Sequence, residues 1–570
     1  MTHLNSHFLR IRASHVSCLK LLYIPIFLIC IGCAGGSGKE QNTVSIADLR
    51  AQLKPLRKIG TYAGFDQKAH VLYMGNDSVE RWLRLNQEAH KIQTIHYAHK
   101  GSGQNYIDRP SEEFRFRIGE IIFSGDSSLL TYNDYQIAQK IGGSKRVTVQ
   151  FTHNSVEEAK PTFYLWIHYE ISPDLPVIRK WLTIQNLTDS AFFIENVVIE
   201  SLPLFAGRED SLQVWQYGMS GILEEPLPTP WEGGTSDPFI LIGNADINGG
   251  VVLGNEGAGI LKYYAVYSDR EAVSIGLRPT TAINGAEIRV PPSRSVNTPK
   301  VWTMLFEGGL QATIEKITQD GLAYIPSYSR DAKLHIPEIQ WITLETELER
   351  SIGAMRPGDL IALDYDWNIE DLQSIKQISR QVHEGGGKFG IRLPVAEIHT
   401  SILDHPEWQF APVPVFRWPA VPKNHDMDRE GEQDEGETQQ STTHEAVPVI
   451  YCVLSDYGYY LTQAVKTLLQ ETETDLLILD RPILGSQHNL LKGCDALGHQ
   501  HYTRAESIGA IYRWLFQFAD YLHREYPALQ LGITASTYGV EQPDAACLAH
   551  FDLFFDDLSA KSPDSSHKAQ

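Results

Sequence analysis

The chain has 570 residues, of which 42% are hydrophobic and 21% charged, enough apolar material for packed cores and too little charge for a disordered polymer. Its 49 basic against 70 acidic side chains leave a formal charge of -21, which argues against the clustered basic face that a phosphate backbone demands. No nucleic-acid partner is therefore expected, and the length predicts two large domains.

Residues 1–32 read as an export signal. Arg10, Arg12 and Lys20 precede the apolar run Leu21 to Ile31, which has signal-core length and falls short of the about 20 apolar residues a bilayer span needs. Gly32-Cys33, followed by small residues, resembles the processing site of bacterial lipoproteins and implies a lipid on Cys33 as the membrane attachment. An ordinary secretory cleavage nearby is the alternative. Residues 33–44 then serve as a flexible tether, and the expected location is the bacterial cell envelope, periplasmic or surface-exposed. With Cys18 and Cys30 removed and Cys33 lipidated, Cys452, Cys494 and Cys547 remain, an odd and sparse set that is no disulfide framework. There is no C-x-x-C, and the spacing of His90, His96 and His99 is not a zinc pattern, so neither a metal nor a cofactor is expected.

Residues 45–330 carry short alternating apolar runs punctuated by Gly, Asn, Asp and Pro. Val147, Val149 and Phe151 alternate in one run; Phe163, Leu165, Ile167, Tyr169 and Ile171 alternate in the next. Each places one face in a core, and the length suits a large antiparallel β-sandwich.

From residue 331 to 558 the rhythm changes to buried strands alternating with helices, the pattern of a (β/α) barrel. A first strand is expected at Ile339 to Thr343 and a second at Leu360 to Asp364. Leu372, Ile375, Ile378 and Val382 then mark a helix stopped by Gly385-Gly386-Gly387. A strand at Lys388 to Leu393 follows. Leu461, Val465, Leu468 and Leu469 predict the next helix, and Leu476 to Asp480 the next strand. Thr503-Arg-Ala-Glu506 is a capping-box pattern opening a helix with the stripe Ile508, Ile511, Leu515, Phe518 and Leu522. Leu529 to Ser536 and Leu553 to Asp556 supply two further strands. Residues 422–447, with eight acidic and two basic side chains, read as a disordered, solvated insertion, and residues 559–570 as a polar tail.

Three strands thus end in Asp, at Asp364, Asp480 and Asp556, the last followed by Asp557. Strand C-termini converge on one face of such folds, so these carboxylates can meet, and a carboxylate pair can cleave a glycosidic bond. The structural alternative for each is the N-cap of the following helix.

Several stretches carry a family likeness. Asp364-Tyr-Asp366-Trp367, Phe389-Gly-Ile-Arg392-Leu393 with Glu397 and His405-Pro-Glu-Trp408, His501-Tyr502, Glu525-Tyr-Pro527, Ala535-Ser536 and Thr235-Ser-Asp-Pro-Phe239 resemble, in order, segments of the clan D α-galactosidases, glycoside hydrolase family 36. The resemblance implies an N-terminal β-sandwich, a catalytic barrel and a carbohydrate substrate. It assigns Asp480 as nucleophile and Asp556 as acid/base, with Asp557 the fallback, and Asp364, Asp366, Trp367, Arg392 and Ser536 to substrate binding. A retaining pair would stand about 5 to 5.5 Å apart, the acid with a raised pKa.

The chain departs from the family at Ile478, where Lys is usual, at Pro482 for Asn, at Arg392 for Trp and at Thr534 for Cys. Arg392 could bond a carboxylated sugar, or form an ion pair with Glu397 or Asp364. Few residues follow Asp557, so strands seven and eight of the barrel are not expected. Truncation, a partner or second copy that closes the barrel, and an adapted fold are the alternatives. Beside the enzyme stands a non-catalytic carbohydrate-binding lipoprotein of the same descent.

Overall fold

A computed structural model describes residues between 60 and 555; the longer stretches outside the description are 205–211, 223–230, 314–338, 343–352, 365–371, 410–448, 481–492 and 535–549. Cys33, the proposed signal and tether, Asp366, Trp367, the 422–447 insertion, Ser536, Asp556, Asp557 and the polar tail all lie outside the described residues.

The described residues between 62 and 307 are almost entirely antiparallel sheet. A four-stranded meander comes first: Tyr62–Asp66, Val71–Gly75, Val79–Asn86 and Lys91–His99. Two larger sheets follow, one of ten strands and one of seven among the described residues. The predicted alternation sets their faces. Phe163, Leu165, Ile167, Tyr169 and Ile171 in strand Pro161–Ile171 are all buried, and the residues between them are less so. Phe163 meets Phe116 and Phe123 of the seven-stranded sheet at 6.2 and 5.2 Å between ring centroids. The two sheets therefore share an aromatic core.

Within this core lies a closed set of charges. Arg81 donates to Glu200 at 2.6 Å and to both oxygens of Glu113 at 3.1 Å; Lys180 donates to Glu113 at 2.8 Å and Glu200 at 2.9 Å. Tyr169 donates to Glu113 at 2.6 Å, Ser111 donates to the same carboxylate at 2.5 Å, and Thr94 bonds it as well. Glu113 also holds a positive φ of 66°, a conformation uncommon for a residue with a side chain, which this set of bonds over-determines. Burial pushes its pKa upward, but the adjacent Lys180 and Arg81 outweigh that and hold the carboxyl well below the usual range.

The C-terminal half builds one parallel sheet. Its strands Ile339–Ile342, Leu360–Asp364, Lys388–Pro394, Leu476–Asp480, Gln530–Thr534 and Leu553–Phe555 pair in chain order, and among the described residues the first and last do not pair with each other. The predicted helices lie between them. Leu372–Glu384 buries Ile375, Ile378 and Val382, and ends where Gly386 takes φ 82° and the amides of residues 385–387 bond back to the last turn. Arg504–Glu525 buries the whole stripe from Ile508 to Leu522, and its cap Thr503 accepts from the Glu506 amide at 3.1 Å.

At the opposite end of the sheet from the Asp-terminated strands, one arrangement occurs twice. Asp475 accepts from His383 at the end of one helix (2.9 Å) and from the Phe389 amide (2.8 Å); Asp552 accepts from His523 (2.9 Å) and the Leu531 amide (2.9 Å). Each aspartate latches a helix C-terminus to the start of the preceding strand. The antiparallel and parallel regions also touch: Thr503 donates to Glu287, and Arg289 lies 4.0 Å over the Tyr502 ring.

Candidate active site

Side chains alternate across a strand, so two faces of the parallel sheet can be told apart. Ile361, Leu363, Phe389, Ile391, Leu477, Leu479, Leu531 and Ile533 join the main core. Leu360, Leu476, Ile478, Leu553 and Phe555 form a second cluster on the other face. Asp364, Arg392, Asp480 and Thr534 share the parity of this second face and lie at or near the C-terminal ends of four consecutive strands. They meet there.

Arg392 donates from Nη2 to Asp480 Oδ2 at 2.8 Å and from Nη1 to Asp364 Oδ2 at 3.5 Å. Thr534 donates to Asp480 Oδ1 at 2.9 Å. Both carboxylate oxygens of Asp480 are thereby held, and its side chain is 9% exposed against 50% for Asp364. The arrangement fixes one buried carboxylate and presents a second to solvent.

Strand-end convergence predicted that Asp364, Asp480 and Asp556 share one face, and the family likeness added Arg392; the structure brings Asp364, Arg392 and Asp480 together, while Asp556 lies outside the described residues. The structure adds Thr534, whose hydroxyl at a strand end was the available signal. For Arg392, Asp364 is a partner as anticipated, but the nearer one is Asp480. Adjacent strands with Arg392 two places before the register partner of Asp480 put them in reach. Ile478, at the position of the family's lysine, is fully buried in the apolar second cluster, where an ammonium would lack water.

The expectation of no metal rested on the spacing of His90, His96 and His99 and on the lack of a C-x-x-C. His90, His96 and His99 are indeed loop and strand residues, with His96 3.7 Å from Glu80 and His99 3.0 Å from Glu307. A different group, Cys452, Cys494, His499 and His501, converges with one ligand atom from each within 4.8 Å of the others. The signal was Cys494-x4-His499-x-His501; its partner Cys452 is remote in sequence.

Neither a family model nor a curated protein matches the chain. Solved structures do. The α-galactosidase from Lactobacillus brevis aligns with 88% of this chain and 74% of its own, at 12% identity and a TM-score of 0.58. The fold is that of the α-galactosidases. The family 36 enzyme AgaB from Geobacillus stearothermophilus aligns with 87% of this chain and 75% of its own, at 13% identity and a TM-score of 0.56. A variant of AgaA from the same organism, in complex with raffinose, aligns with 86% and 75%, at 13% identity and 0.57. Identity this low conveys architecture, and chemistry has to be argued from the residues.

Proposed function

We propose that the protein is a retaining glycoside hydrolase, similar to α-galactosidases, that releases terminal α-linked sugars from oligo- or polysaccharides. The architecture this implies is an N-terminal β-sandwich followed by an incomplete (β/α)8 barrel. The observation that carries the reading is Asp480: a buried carboxylate at a parallel strand's C-terminal end, oriented by Arg392 and Thr534 on the face where enzymes of this fold work. In the reaction Asp480 attacks the anomeric carbon while Asp556 protonates the departing oxygen. Asp556 then deprotonates the water that frees the sugar, with Asp557 the fallback for that role. Asp364, Asp366, Trp367, Arg392 and Ser536 contact the substrate. The raffinose complex of AgaA supports a galactoside among the first substrates tried.

A second reading is favoured by one contact. The Arg392 guanidinium neutralises Asp480 and occupies Oδ2, which blunts a nucleophile and suits a cleft that only binds glycans. A panel of aryl α- and β-glycosides, with Asp480→Asn as blank, separates the two. Turnover lost in the variant supports the enzyme; glycan binding without turnover in either protein supports the binding module. Envelope location through a lipid on Cys33 is proposed from the Gly32-Cys33 pattern alone; metabolic labelling with a fatty acid tests it, and Cys33→Ala should remove the label.

A further inference from the structure

We infer that Cys452, Cys494, His499 and His501 bind a structural zinc ion. All four residues are buried, neither cysteine forms a disulfide, and one ligand atom from each lies within 4.8 Å of the others. A tetrahedral zinc with bonds of about 2.0 to 2.3 Å sets its ligands roughly 3.3 to 3.8 Å apart, so the cluster needs to contract by about 1.5 Å at most.

The histidines are prepared for it. His499 Nε2 lies 2.9 Å from the Glu407 carbonyl, which can only accept, so Nε2 carries the proton. The Nδ1 lone pair then faces Cys494 Sγ at 3.4 Å. This is the outer hydrogen bond that orients metal-bound imidazoles. His501 is 8% exposed, and its buried Nε2 meets no hydrogen-bond partner among the described residues. A buried imidazole nitrogen left in that state costs free energy unless it ligates something. Two thiolates and two imidazoles leave no open position and select zinc for structure.

The scaffold joins two loops. Cys452 follows strand Val449–Ile450, its amide bonded to the Trp408 carbonyl at 2.8 Å, just before helix Asp456–Thr472. Cys494, His499 and His501 precede helix Arg504–Glu525, and the Gln500 amide donates to the Leu454 carbonyl at 2.8 Å. These loops follow the strands that carry Arg392 and Asp480. The ion would bolt these two loops together.

The test uses the full chain purified under reducing, chelator-free conditions. Elemental analysis should find about one zinc per chain. After zinc removal, added Co2+ should give the intense ligand-field absorption of a tetrahedral site with a thiolate-to-cobalt charge-transfer band. His501→Cys should keep the metal, because three cysteines and one histidine are also a zinc set. His501→Ala should weaken cobalt binding by more than the about 10- to 100-fold typical of an outer-shell change. A Cys452–Cys494 disulfide in the protein as exported, or a reduced, folded wild-type chain that shows no thiolate–cobalt band, would overturn the assignment.

Discussion

Among the described residues, one fully buried set of charges lies between the antiparallel sheets, and a partly buried one lies at the end of the parallel sheet. In the first, Arg81 and Lys180 face Glu113 and Glu200 with side-chain exposures of 2% or less; two cations meet two carboxylates in a closed set. In the second, among the described residues, one guanidinium serves two carboxylates, and one of those, Asp364, is half exposed. Closure suits the first set to holding the fold together. The second presents a half-exposed carboxylate beside a buried one on the C-terminal face of the sheet, which suits a catalytic or binding role.

Perturbing each set should separate these roles. Asp480→Asn should cut glycoside turnover by about ten-thousandfold or more while the melting temperature stays nearly unchanged; a collapse in melting temperature would make the second set structural too. Glu113→Gln leaves Arg81 and Lys180 buried beside a neutral amide and should cost about 3–5 kcal/mol of stability by denaturant titration. Its pH signature follows from the depressed carboxyl pKa. The unfolded chain takes up a proton near pH 4.3 that the folded chain refuses, so the Glu113 contribution is complete above that pH and shrinks as the solution is acidified. The variant should lose that part of the acid slope. Thr534→Val removes one of the two described bonds to Asp480 and should lower kcat by about 10- to 100-fold, the worth of a hydrogen bond to a charged group. Smallest of all, Lys376→Met breaks the Lys376–Glu471 pair, whose side chains are 40% and 42% exposed, and should change stability by under about 1 kcal/mol. A larger effect would mean that pairing, rather than burial, separates the two sets.

Much of the fold could be read from local pattern. Period-two alternation located strand Pro161–Ile171, and the stripe from Ile508 to Leu522 with its Thr503 cap located the last helix, because each depends on residues a few places apart. Asp480 was legible because strand ends converge in parallel folds. The bond from Arg392 to Asp480, the tetrad around Glu113 and the cysteine–histidine group were not. Their members stand 32 to 119 positions apart in the tetrad's Arg81 bonds and 88 apart for Arg392, and no periodicity reports which buried side chains will share a cavity.

The contact of Thr503 with Glu287 bears on how the protein comes apart. Glu287 belongs to a strand of the antiparallel region and Thr503 caps the longest described helix of the parallel one. A single hydrophobic cluster runs through both regions, from Leu72 to Phe551. Heat should therefore melt the two halves in one cooperative step, and proteolysis between them should yield fragments that stay associated instead of independent folding units.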